Sequence, residues 1–233
     1  MPFKRQWDAS CPKTWDQFER DGKTYIIQDL APEDDEQALE ILINYMCADE
    51  ALCGLSDFRN DEKSLTSIRG FWAECLSQRM SLACYTDVDG KKTLVAMNVC
   101  VVDSVHESFP LTPIEGRAWK NVYHAMATLE VKCSPFKHLN LETLLHAYGL
   151  FVLREFRGAK LGANLLLARE PLALFHGIKG TSTVFTGPAS QKLAAKCGFV
   201  TIYEMTLKEI AECGLTYPKT DHVIKLMVKK YGD

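Results

Sequence analysis

Apolar and polar positions alternate with a period of two from Thr24 to Leu30, the pattern of a half-buried strand. Pro32 and the acidic run Glu33-Asp-Asp-Glu36 then predict a helix start, with Ala38, Leu39, Leu42 and Met46 at helical spacing and the carboxylates at the positive end of the peptide dipole. A second helix is predicted from about Glu62 to Gln78. Strands are expected at Ser81 to Thr86 and Thr93 to Val102, joined by a hairpin through Asp87-Val-Asp-Gly-Lys. Arg117 to Val131 reads as a helix, and after a loop containing Pro135, His146 to Leu153 reads as the central strand. Leu161, Leu165, Ala168, Leu172 and Phe175 mark the buried face of the helix that follows, in which Pro171 is expected to kink or end the regular part. Ser182 to Thr186 is a short strand, Pro188 opens a helix that ends near Gly198, and Phe199 to Leu207 and His222 to Lys229 close the chain as two strands. Helices alternating with strands predict an α/β sandwich of three layers, and the two closing strands predict an antiparallel edge.

The 233 residues hold no proline- or serine-rich linker, internal repeat or low-complexity run. A single domain with a full hydrophobic core is expected over 1–233, with about 1–22 as a loosely ordered N-terminal extension. A net charge of −3 gives no polycationic field, so small molecules are expected as partners and nucleic acid is not. The start Met-Pro-Phe-Lys-Arg-Gln-Trp lacks an apolar signal core and no run reaches bilayer-spanning length, which predicts a cytosolic monomer away from membranes. Nine cysteines, odd in number, without a C-x-x-C pair and spread through apolar segments, fit reduced core thiols. The six histidines show no metal-ligand spacing, and no metal is expected.

The chemistry begins at Leu150 to Gly162. A buried strand runs there into a glycine-bearing turn with an amphipathic helix directly behind it. Helix starts leave amide N–H groups unpaired at the positive end of the dipole, so this arrangement predicts a cradle for phosphate. Neither the Gly-Lys-Ser/Thr of a P-loop nor the G-x-G-x-x-G of a dinucleotide fold is present, which removes the usual nucleotide-binding oxidoreductase fingerprint.

Val152-Leu-Arg-Glu-Phe-Arg-Gly158, followed by Ala159-Lys-Leu-Gly162, resembles the V-x-P-E-[aromatic]-R-G-x-G-x-G/A signature of the GNAT superfamily of N-acetyltransferases. The resemblance implies a mixed, mostly antiparallel twisted sheet flanked by helices on both faces, with a central strand-turn-helix for acetyl-coenzyme A as co-substrate. It assigns the pantetheine arm to the strand edge at Val152 and Leu153, and the pyrophosphate to Arg157, Gly158, Ala159, Lys160, Leu161 and Gly162. Arg154 stands in place of the proline and Lys160 in place of the middle glycine. Backbone donation at Lys160 is expected if its φ stays negative.

Acylating an amine requires a base, because a lysine-like amine of pKa about 10 is mostly ammonium at neutral pH. Cys47-Ala-Asp-Glu-Ala-Leu52 resembles the D-E-P-L segment of the insect arylalkylamine N-acetyltransferases, which implies Glu50 as catalytic base, with Ala51 replacing the proline. On residues alone Glu50 reads as an exposed helix-end carboxylate. In the same family a hydroxyl pair four apart precedes the helix ending in L-G-F, and Thr186 and Ser190 match it; Ser190 also reads as a capping hydroxyl. The tyrosine acid that many GNAT enzymes carry in this helix falls on Ala194, leaving Ser190 or Tyr203 to replace it. His222 shares a strand face with Ile224, Leu226 and Val228 and reads as a hydrogen-bonded core histidine; it also matches a C-terminal histidine of the insect family. Lys192 and Lys196 could reach the remaining phosphate of the coenzyme, and they also read as cations that suit a last helical turn without any ligand. The implied function is acetyl-coenzyme A dependent N-acetylation of a small primary amine, either an arylalkylamine such as tyramine, dopamine or serotonin, or a polyamine or agmatine. The transfer would be direct, with Glu50 as base. The alternative is a catalytically weak acyl-coenzyme A binding homologue that acts as a sensor or partner.

Overall fold

The computed structural model describes residues 3–107 and 109–232. In chain order the elements are β1 (Thr14–Arg20), β2 (Lys23–Asp29), α1 (Asp35–Ile41), α2 (Cys47–Asp49), α3 (Ala51–Leu55), α4 (Glu62–Ser77), β3 (Leu82–Val88), β4 (Lys91–Ser104), α5 (Arg117–Lys132), α6 (Pro135–Leu139), β5 (Thr143–Val152), α7 (Leu161–Phe175), β6 (Gly180–Phe185), α8 (Pro188–Lys196), β7 (Val200–Thr206), α9 (Leu207–Glu212) and β8 (Val223–Lys230). A π turn at Leu42–Met46 joins α1 to α2.

The eight strands form one sheet in the order β1-β2-β3-β4-β5-β6-β8-β7. Every neighbouring pair is antiparallel except β5 and β6. That parallel pair is joined only at Leu145 with Thr181 and His146 with Ser182, and beyond them the two strands diverge. The mixed, mostly antiparallel sheet expected from the motif resemblance is the one observed.

Both faces of the sheet are covered, which is why β4 reads as an almost unbroken apolar run. Met97, Val99 and Val101 pack toward α1, α4, α5 and α9 in one core, while Ala96, Cys100 and Val102 pack toward α7 in the other. In β4 the polar exception is Asn98, fully buried. Its Nδ2 donates to the Gly149 carbonyl at 2.6 Å, and Trp72 Nε1 donates to the Tyr148 carbonyl at 3.0 Å. The β4–β5 register shifts between Asn98 and Cys100, so these two donors hold carbonyls that the ladder leaves out. A Cβ on Gly149 would lie 3.0 Å from Met46 Sδ and Cε, so a side chain there would push the π turn away from β5.

Several expectations shift. Within the stretch read as a loosely ordered extension, Thr14–Arg20 pairs with β2, and buried Arg5 meets Asp29 with contacts of 2.6 and 2.8 Å. Pro171 does not end α7, which continues to Phe175; the carbonyl deprived of its amide belongs to Leu167, on the exposed side, where water can serve it. The last strand in sequence, β8, inserts between β6 and β7. The nine cysteines are free thiols, and six of them are buried. No helix among the described residues is long and apolar enough to cross a membrane.

Candidate active site

The divergence of β5 from β6 opens a cleft of about 680 Å³. One wall is the end of β5 and the turn into α7. The first residues of a helix have no acceptor within it, and the backbone N–H groups of Gly158, Lys160, Leu161 and Gly162 donate to no acceptor among the described residues. Lys160 caps α7 with φ 62° and ψ 15°. The condition set for donation at this position, a negative φ, is not met; the left-handed conformation is what lets successive amides curl around one point. Gly162 is needed for close packing, since a Cβ would lie 3.1 Å from Leu193 Cδ2 of α8. The unpaired amides of Gly158, Lys160, Leu161 and Gly162, all lining the cleft at a helix start, fit a pyrophosphate.

Along β5 the geometry revises one expectation. The Leu153 amide donates to Val95 O at 3.0 Å, so it is committed to β4. By strand alternation the Val152 amide faces the opposite edge, where β6 has already diverged. The Val152 carbonyl on that edge accepts from Arg157 Nε at 3.1 Å. Arg157 also bonds Asp49 at 2.6 Å, and Arg154 bonds the same carboxylate. The two guanidinium groups hold the Asp49 carboxyl below its usual range and tie the end of α2 to the turn ahead of α7.

The opposite wall carries Glu50. It is the N-cap of α3, with Oε2 accepting from the Cys53 amide at 2.7 Å, and Oε1 accepts from the Thr186 hydroxyl at 2.5 Å. One donor on each oxygen fixes the carboxylate and leaves lone pairs for a further proton. His222 sits just ahead of β8, and its Nε2 lies 2.7 Å from the Thr186 carbonyl. A carbonyl only accepts, so that nitrogen carries the proton and the ring steadies the Thr186 backbone. The Ser190 hydroxyl lines the cleft and donates to the Gly187 carbonyl at 2.8 Å. Glu50, Thr186, Ser190, Val152, Arg157, Gly158, Lys160, Leu161 and Gly162 share the cleft; Leu153, Ala159, His222 and Tyr203 do not line it. Lys192 and Lys196 are exposed on α8. Among the described residues no group of three or more His, Cys, Asp or Glu side chains is arranged to hold a metal ion.

The inner end of the cleft is walled by Ile68, Phe71, Trp72, Trp119, Val122, Met126 and Tyr148. Cys53 is the thiol that lines it among the described residues. Its hydrogen bond with Cys47, burial and neighbouring Glu50 push its pKa well up, which keeps it an uncharged thiol.

No protein-family model and no curated protein sequence matches the chain. Solved structures do. A yellow fever mosquito protein provisionally designated arylalkylamine N-acetyltransferase 7 aligns at 25% identity with a TM-score of 0.88, covering 98% of this chain and 99% of that one. The chain has the GNAT fold. Arylalkylamine N-acetyltransferase 2 of Aedes aegypti aligns at 18% identity and TM-score 0.75, over 88% of this chain and 98% of its own. The polyamine N-acetyltransferase of Drosophila melanogaster, described as catalysing the formation of N-acetylagmatine, aligns at 15% identity and TM-score 0.72, over 88% and 99%.

The position in α8 that the motif resemblance assigns to a tyrosine acid holds Ala194. That residue is fully buried with Leu166, Phe185, Cys197, Phe199 and Met227, so an aromatic acid has no room there. The sequence reading missed Asn98, Trp72 and Arg169. A lone asparagine in an apolar strand and an arginine in an apolar helix were the available signals, both being expensive to bury without partners.

Proposed function

We propose that the chain is an acetyl-coenzyme A dependent N-acetyltransferase that acylates a small primary amine, with arylalkylamines preferred over polyamines. The observation that carries this reading is the placement of Glu50, fixed by Thr186 and the Cys53 amide, in one cleft with the unpaired amides of Gly158, Lys160, Leu161 and Gly162.

Those amides hold the pyrophosphate, and the free edge of β5 at Val152 runs beside the pantetheine arm. Acetyl-coenzyme A bound there supplies an activated acyl thioester. Glu50 accepts the proton that the ammonium must lose, directly or through one water. The Val152 amide donates toward the carbonyl oxygen where negative charge develops. Transfer is direct, since a thiol held neutral like Cys53 is a poor nucleophile.

The acceptor preference follows from the lining. Four aromatic rings and three aliphatic side chains wall the inner end, and Asp49, the carboxylate beside Glu50, is engaged by two arginines. A polyamine brings a second cation and needs a second free carboxylate. An arylalkylamine brings a ring, which the aromatic walls pair with. Thiol release from acetyl-coenzyme A with tyramine, dopamine, serotonin, agmatine and spermidine tests this. The aromatic amines are expected to give kcat/KM at least about tenfold above the polyamines. Turnover of none of them would overturn the activity, and the reverse order would overturn the preference.

A further inference from the structure

Beneath the point where β5 and β6 part lies a positive charge that the scheme above does not use. Arg169 of α7 has no exposed surface. Its Nε donates to Asn98 Oδ1 at 2.6 Å, and Nη1 donates to Thr183 Oγ1 at 2.8 Å and lies 3.5 Å from Thr181 Oγ1. The guanidinium carbon stands 5.7 Å from the centroid of the Phe199 ring. All of these partners are neutral. Nη2 is buried with no partner, and no ion pair joins Arg169 to a carboxylate among the described residues. The adjacent Glu170 is paired with Lys229 at 2.9 Å.

Arg169 acts on the titration of Cys100 of β4, His146 of β5, Cys197 after α8 and Tyr231 after β8. Burial pushes the Cys100 thiol up to about 11 and the Tyr231 phenol higher, raises Cys197, and drives the His146 imidazole down to about 3. All four are uncharged near neutral pH. A guanidinium cannot shed its proton to escape such a site, and buried charges are retained where something compensates them. Arg169 lines the same cleft as Glu50 and Val152. Through Asn98, whose Nδ2 holds the Gly149 carbonyl at 2.6 Å, it is also one side chain removed from the register shift in β5.

We propose that Arg169 is the fixed cation that stabilises the leaving thiolate, taking over the task of the aromatic acid for which Ala194 leaves no room. The inference rests on the reading that the cleft binds acetyl-coenzyme A. As the amine nitrogen bonds to the carbonyl carbon, the C–S bond breaks and its electron pair stays on sulfur. Glu50 takes the proton that turns the ammonium into the attacking amine, and the second proton, shed by nitrogen as the amide forms, passes to the sulfur once it has left, giving amide and coenzyme thiol. The sulfur leaves as an anion in the field of Arg169, so no protein acid is required at that moment.

The thiol of coenzyme A bound to the full-length protein is titrated by its thiolate absorbance in the ultraviolet, with binding followed by calorimetry. Its pKa is expected to fall by about one unit or more relative to free coenzyme. Arg169→Gln should abolish most of that shift, and Arg169→Lys should retain part of it. Asn98→Asp, which sets a carboxylate against Nε and so neutralises the charge without emptying the site, should also raise the thiol pKa; this variant keeps the test open if Arg169→Gln does not fold. Binding with an unshifted thiol in the unaltered protein, or an equal shift in Arg169→Gln, overturns the role of Arg169 alone. Absence of coenzyme binding overturns the acetyltransferase reading itself.

Discussion

The two walls of the cleft are made of different material. On the β5–α7 side the donors are main-chain amides of one short turn, those of Gly158, Lys160, Leu161 and Gly162. On the facing side the working groups are side chains 136 positions apart, Glu50 and Thr186. A wall built of backbone depends on φ and on clearance, and it is indifferent to most side chains. That explains how Lys160 stands in the turn: its side chain is exposed and its φ of 62° is the one the cradle uses. A wall built of side chains has no such latitude, because a proton acceptor must be a carboxylate in one place.

The contrast is broken most directly at Glu50. Glu50→Gln keeps the shape and removes the acceptor, and kcat/KM is expected to fall by about 10² to 10⁴ near neutral pH. The deficit should shrink toward pH 10, where more of the amine is already deprotonated; a pH profile of kcat/KM checks both, and parallel profiles would exclude Glu50 as base. On the backbone wall a comparable loss needs a loss of clearance. Gly162→Val drives methyl groups toward Leu193, Leu150 and Val152, and KM for acetyl-coenzyme A is expected to rise about tenfold or more while kcat changes less. The smallest effect belongs to Lys160→Gly. Relief of a left-handed non-glycine residue and the added chain entropy of glycine oppose each other, so stability should shift by less than about 1 kcal/mol, and KM for acetyl-coenzyme A by less than about threefold. A large loss in thermal denaturation or steady-state assays would mean that the lysine side chain itself holds the cofactor.

The same difference in material decides how much could be read from sequence. The strand, the turn and the helix behind it are contiguous, so period and composition placed the cradle at Leu150 to Gly162. Glu50 was reached through a short segment resemblance, because on residues alone a helix-end carboxylate is usually solvated. Its pairing with Thr186 and the commitment of the Leu153 amide to Val95 depend on strand order and register, which local pattern does not encode. Thr14–Arg20 escaped notice as a strand because most of its side chains are exposed or half-buried, leaving little alternation to see. Arg169 was hidden for the opposite reason: an apolar helix face absorbed it, and only the burial of its guanidinium among neutral groups marks it out.

The π turn at Leu42–Met46 carries one consequence more. A π turn holds one residue more than α geometry would use over the same rise, so it rotates everything after it by about 100° relative to an uninterrupted helix. In this chain what comes after is Cys47–Asp49 and then Glu50. The orientation of Glu50, the base proposed above, is therefore set by a surplus of one residue located upstream of it. Deleting a single position between Leu42 and Met46 would leave the composition almost unchanged and regularise the helix, yet it would swing Glu50 away from Thr186, leaving the proposed transferase site with its amides in place and its proton acceptor gone.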